Sequence, residues 1–160
     1  MKIQLVCVGR LKEEAERTIV ERYLQRFDQI ARPLGFGASS VTEFSESRAA
    51  TAPERKVAEA ADLRKKSAPG SRVIALDERG KLLPSADFAA LLGQWRDDGV
   101  RNCALLIGGP DGLDPDIAAQ AALSLSLGRI TLPHGLARAV LAEQLYRAAT
   151  ILAGHPYHRA

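Results

Sequence analysis

The stretch 102-NCALLIGGPDGLDPDIAAQAALSLSLGRITLPH-134 decides the fold. Asn102 to Ile107 is a continuous apolar run, the pattern of a strand buried on both faces. The turn Gly108-Gly109-Pro110-Asp111-Gly112 follows at once. Glycines there let the backbone reach positive φ and come close to a ligand. Asp114-Pro115 reads as a helix start, with Asp at the N-cap and Pro at the first helical position. In an open α/β sheet, ligands bind beyond the carboxyl ends of the strands, which is where this turn falls.

GGPDG has neither the G-x-G-x-x-G spacing of a dinucleotide turn nor the Gly-Lys-Ser/Thr ending of a phosphate loop. On spacing alone, a turn that only reverses the chain and a turn that touches a ligand are both open. The second segment, Ser124 to His134, sets small residues and prolines among apolar ones, a composition for a groove lined by backbone amides and carbonyls. Such a groove suits an adenine and a methionine tail, which carry no phosphate and need hydrogen bonds and apolar walls. The competing reading is a nucleotide-binding protein that uses GGPDG for phosphate. It expects ATP to bind.

Outward from this unit the chain alternates strands and helices. Lys2 to Val8 is a first strand, ended by Gly9. Glu13 to Ile30 carries Ile19, Val20, Tyr23, Leu24, Phe27 and Ile30 on one stripe of a helix. Ser39 to Phe44 is a weaker strand, and the polar Ser45 to Ala50 reads as mobile. Thr51 and Glu54 form a capping box opening a helix with Val57, Ala60, Ala61 and Leu63 inward. Arg72 to Asp77 is a strongly apolar strand, followed by a turn at Glu78-Arg79-Gly80-Lys81. Ser85 caps a helix with Phe88, Leu91, Leu92 and Trp95 on one face, stopped at Gly99. Pro133 to Leu152 makes the last helix, whose apolar stripe runs through Leu136, Val140, Leu141, Leu145 and Ala148. This alternation predicts an α/β fold whose parallel sheet is covered by helices on both faces.

The chain is 160 residues long, a length suited to one domain. Its apolar share of 46% and charged share of 26% are those of an ordinary globular protein. No apolar run approaches the ~20 residues that cross a bilayer, and the N-terminus is charged too soon for a signal peptide. Cys7 and Cys103 sit in apolar strands and read as buried thiols of a reducing cytoplasm; no Cys or His cluster has metal spacing. The net charge of +3 does not by itself argue for nucleic acid. From Arg129 onward, however, there are four arginines, three histidines and one acid, Glu143. That pattern fits either a phosphate-bearing partner or a solvated basic helix face.

The strings MKIQLVCVG, VIALDERGK, LLIGGPDGL, SLGRITLPHGLAR, AEQLYRA and GHPYHR, in this order, resemble the ribosomal RNA large subunit methyltransferase H family over essentially the whole chain. The resemblance implies a single SPOUT-class domain over 1–160, with a C-terminal trefoil knot. It also implies a cytoplasmic homodimer that uses S-adenosylmethionine, without metal or membrane. The implied activity is methylation of N3 of a pseudouridine in a stem-loop of 23S ribosomal RNA, on assembled ribosomes. The alternatives are a SPOUT methyltransferase acting on another RNA and a ribosome-binding module without catalysis.

Carried over motif by motif, the resemblance puts Leu76, Gly108, Gly109 and the run Gly128, Arg129, Ile130, Thr131, Leu132 and Pro133 around the cofactor. N3 of pseudouridine lies between two carbonyls, so charge developing on their oxygens calls for guanidinium or N–H donors, and its proton for a base near neutral pKa. Arg138, Tyr157, His158 and Arg159 are the candidates for these roles, with Tyr157 able to stack on a base and His158 to take the proton. His134, beside the cofactor segment, is the other base candidate, or else a residue that only begins the last helix. The tail likewise reads as part of the site or as a frayed terminus.

Overall fold

The computed structural model describes residues 1–159; Ala160 lies outside the described residues. At its centre is β4 (Asn102–Ile107), flanked by β1 (Lys2–Val8) on one side and β3 (Arg72–Leu82) on the other. β2 (Ser39–Phe44) pairs with β1, and β5 (Leu123–Ser126) with β3. Among the described residues these five strands form one all-parallel sheet in the order β2-β1-β4-β3-β5.

The side-chain period of two divides the core between two layers. Ile3, Leu5, Cys7, Ile74, Cys103, Leu105 and Ile107 face α1 (Glu14–Ala31), α3 (Ser85–Asp97) and α5 (His134–Leu152). Val6, Val8, Ala75, Ala104 and Leu106 face α2 (Ala52–Lys66) and α4 (Pro115–Gln120). The register stacks Leu5, Leu105 and Ile74 across three strands, so the middle of the sheet is apolar on both faces. Helices therefore cover both faces, as the alternation of elements predicts. Cys7 and Cys103 are fully buried, and burial pushes each thiol up to about 12.

Several local readings are corrected. On α1, Val20, Leu24, Phe27 and Ala31 are buried, whereas Ile19 sits at the exposed rim. On α2 the inward residues are Glu59, Ala60 and Leu63; Val57 is 63% exposed and Ala61 faces solvent. At 3.6 residues per turn, Val57 and Ala61 lie roughly 110° and 150° from the middle of that buried arc. The segment Ser45 to Ala50 forms no regular element, yet it is tied down: Ser47 N–H donates to Glu59 Oε1 at 2.9 Å, and Arg55 donates to the carbonyls of Ala49 and Ala50.

No turn ends β3 at Glu78–Lys81. The strand bulges, so that Leu125 pairs with both Leu76 and Lys81, and the Asp77 carboxylate accepts the Arg79 N–H at 2.8 Å. Gly80 makes this possible, because a Cβ there would lie 2.7 Å from the backbone of Ser124 and Leu125. Ser85 does not cap α3: Pro84 holds the N-cap, and the Ser85 hydroxyl donates to Gln144 Oε1 on α5 at 2.7 Å. On α5 the stripe is only half inward. Leu141, Leu145 and Ala148 are buried, but Leu136 and Val140 are 44% and 37% exposed.

Candidate active site

β4 runs straight into the glycine turn. Gly112 N–H closes it on the Gly109 carbonyl at 2.9 Å, and a Cβ on Gly108 would meet the Gly112 carbonyl carbon at 2.7 Å. The turn is thus too tight for any side chain at its first position. Asp114 then caps α4, accepting the Asp116 N–H at 2.9 Å, as its place before Pro115 predicts.

β5 ends at Ser126, whose hydroxyl donates to the Gly128 carbonyl and accepts its N–H, bending the chain into the loop that leads to α5. The two turns and the bulge of β3 at Leu76–Arg79 enclose a groove of about 500 Å³ beyond the carboxyl end of β4. That volume is within the range of small-molecule sites.

Of the residues assigned to the cofactor, Leu76, Gly108, Gly109, Gly128, Ile130, Thr131 and Leu132 line this groove. Arg129 and Pro133 belong to the same loop but are not among its lining residues, and Pro133 serves as the N-cap of α5. Sequence reasoning missed Lys56, Asp77, Glu78, Arg79 and Asp111 on the groove wall. Asp77 to Arg79 arrive there through the β3 bulge, and Lys56 through the packing of α2; neither leaves a local signal. A further cavity of about 520 Å³ lies between the end of α2 and α4, floored by Val73, Leu106 and Ile117, with no residue of the glycine turn in its lining.

The structure separates the catalytic candidates. His134, the first residue of α5, lines the groove. Arg138, one turn on, is buried and is not among the residues that line it. The side chain is 1% exposed; it donates to Glu43 Oε1 at 2.6 Å and to the carbonyls of Val8 and Gly9 at 2.7 and 2.8 Å. Its work is to bind the end of β1 to β2 and α5.

Tyr157, His158 and Arg159 follow α5 and fold back onto its middle, where Tyr157 meets Glu143, Tyr146 and Arg147, none of which lines the groove. The tail is docked, not frayed. Glu143 Oε1 accepts Arg147 Nη2 at 2.6 Å and the Tyr157 hydroxyl at 3.0 Å, while the Arg147 guanidinium lies 4.9 Å over the Tyr157 ring. Tyr146 packs on the other ring neighbour, 4.6 Å from Tyr157. Burial, with hydrogen bonds to Tyr23 and Glu143, raises the Tyr157 hydroxyl well above its usual value and keeps it neutral. Arg147 Nη1 lies 3.3 Å from His158 Nδ1. Guanidinium has no acceptor, so Nδ1 accepts and the proton of a neutral ring sits on Nε2. Glu143 is paired with an arginine, as its isolation among apolar and basic residues suggests.

An all-parallel sheet with a ligand groove at the carboxyl end of its central strand defines an α/β enzyme-type domain. The profile described as Predicted SPOUT methyltransferase matches residues 1–158. The chain is 53% identical over 160 residues to the ribosomal RNA large subunit methyltransferase H of Sinorhizobium fredii, and 50% identical over 160 residues to that of Rhodopseudomonas palustris. In both cases 100% of each chain is covered. Among solved structures it is similar to the SpoU methyltransferase AviRb from Streptomyces viridochromogenes in complex with AdoMet. There the TM-score is 0.40 at 14% identity, over 92% of this chain and 59% of that one. The chain belongs to the SPOUT methyltransferases, in their ribosomal RNA large subunit methyltransferase H family. Among the described residues no helix is long and apolar enough to cross a membrane, and no cluster of three metal-ligating side chains occurs.

Proposed function

We propose that the protein methylates N3 of a pseudouridine in a stem-loop of 23S ribosomal RNA, on assembled ribosomes in the cytoplasm, with S-adenosylmethionine as methyl donor. The whole chain, 1–160, acts as one domain with its C-terminal part threaded as a trefoil knot, and two chains form the working unit. The observation that carries this reading is that the tail docks on Glu143, Tyr146 and Arg147, whereas only the first turn of α5 lines the groove. Held there, the tail does not line its own chain's groove. A two-fold partner supplies a tail that does, and the exposed Leu136 and Val140 on α5 give it an apolar face.

The groove fits the donor. Its turn backbone offers amides and carbonyls, while Leu76, Ile130 and Leu132 offer apolar wall. Its rim carries Lys56 and Arg79 beside Asp77 and Glu78, both signs of charge, as a zwitterionic amino-acid tail requires. Bound S-adenosylmethionine supplies an electrophilic methyl group. The protein's own task is to set N3 in line with it and to handle one proton. His158 has Nδ1 engaged and presents Nε2–H, so it donates to a uracil carbonyl oxygen, where charge develops, instead of taking the proton. His134, on the groove, is the group left to receive it. Arg159 is exposed at the chain's end and faces RNA phosphate.

Tritium transfer from labelled S-adenosylmethionine tests the reading. Label is expected in 70S ribosomes and, after digestion, in a pseudouridine of 23S RNA. Equal labelling of free RNA would point to another RNA target, and binding to ribosomes without any transfer would point to a non-catalytic module.

A further inference from the structure

From the contacts of α2 we infer that Arg55, outside the groove, is a positioning residue that holds the glycine turn in its ligand-binding shape through Asp111. Arg55 Nε donates to Asp111 Oδ2 at 2.7 Å and Nη2 to Asp111 Oδ1 at 3.1 Å, a two-pronged contact across 56 residues of sequence. The remaining guanidinium donor, Nη1, takes the carbonyls of Ala49 and Ala50 at 3.2 and 3.3 Å. One side chain therefore ties the approach to α2, the helix itself and the tip of the turn.

A forked guanidinium fixes direction as well as distance, which a lysine cannot do. The hydrogen bond from Arg55 holds the Asp111 carboxyl below the usual carboxylate range. Asp111 itself lines the groove, so its direction decides the shape of that wall.

A second contact supports the same face of α2. Glu59, one turn after Arg55, is buried, and its carboxylate oxygens lie 3.1 and 3.4 Å from where a Cβ on Gly109 would be. The turn is thus braced at its base by Glu59 and at its tip by Arg55. The capping box of Thr51 and Glu54 fixes the first turn of α2, from which Arg55 projects. The apolar residues of α2, Ala60 and Leu63, are taken up by the sheet, so an ion pair, not packing, links α2 to the tip of the turn.

The inference rests on the reading of the groove as the S-adenosylmethionine site, and two measurements on the full chain keep the two apart. The first is calorimetric titration with S-adenosylmethionine of the wild type, Arg55→Ala, Arg55→Lys, Asp111→Ala and the double alanine variant. Each single alanine variant is expected to bind about tenfold more weakly, the double variant no more weakly than the singles, and Arg55→Lys to recover only part of the loss. In ribosome methylation the same variants raise KM for the donor and leave kcat within about twofold. The second is amide hydrogen exchange without ligand, where Arg55→Ala is expected to speed exchange at Gly112 and its neighbours and leave β4 unchanged. Unaltered affinity with unaltered exchange, or losses that add in the double variant, would overturn the inference. A wild type that binds no donor while Arg55→Ala still loosens the turn would overturn the cofactor reading and leave the brace standing.

Discussion

The Tyr157 hydroxyl donates to Glu143 Oε1 at 3.0 Å, joining the last residues of the chain to the middle of α5. The same oxygen receives Arg147, whose other amino group holds His158. One carboxylate thus organises the whole tail. Glu143→Ala is expected to lower methyl transfer to ribosomes at least tenfold and to leave the affinity for S-adenosylmethionine within about twofold, because no residue of this cluster lines the groove. Transfer assays and donor titration on the same preparation check both halves.

The pH response of this cluster has a definite sign. The folded value of the Tyr157 hydroxyl is raised above its ordinary 10.0, first by burial and then by its hydrogen bonds to Tyr23 and Glu143. Its contribution to stability is therefore complete below pH 10 and is lost as pH rises beyond, where the unfolded chain ionises and the folded one does not. Urea midpoints measured from pH 8 to 11 are expected to fall more steeply for wild type than for Tyr157→Phe.

Arg138 ties Glu43 to the end of β1 inside the fold. Removing it takes the guanidinium donor from the carbonyls of Val8 and Gly9 and leaves Glu43 Oε1 with only the Leu11 N–H. Arg138→Ala is expected to cost about 3 kcal/mol, the scale seen when one partner of a buried pair is deleted. Denaturant unfolding reads this directly, and a loss below about 1 kcal/mol would contradict it.

The two thiols report on unfolding. Both are fully buried and their acid strength is reduced, pushed up to about 12. A thiol reagent at pH 8 is expected to react only as fast as the protein opens, with both cysteines reacting together once denaturant is added.

How much of this was legible in the sequence follows the range of each interaction. The strand at Asn102–Ile107, the Thr51–Glu54 box and the Asp114–Pro115 helix start are local patterns, and each stands where the residues place it. The glycine turn and most of the loop after β5 meet at one groove, as the motifs imply. What sequence could not carry is set by partners far along the chain. Glu59 is buried because Ser47 and the turn receive it; Arg138 is buried because β1 ends beneath it. The turn read at Glu78–Lys81 is a bulge because β5, more than forty residues on, continues to pair there. Arg138 and His134 share one helical turn, yet only a three-dimensional view puts one in the core and the other on the groove.

The central claim is that one chain's groove works with the other chain's tail. Complementation between two inactive variants tests it most directly. Gly108→Arg, which fills the turn, is mixed by co-expression with a chain truncated after His155, and the mixed dimers are separated by differential tags. These dimers hold one intact groove facing one intact tail, so methyl transfer to 70S ribosomes is expected to return to about half the wild-type rate per dimer. Mixed dimers that form and bind S-adenosylmethionine but transfer nothing would contradict the claim.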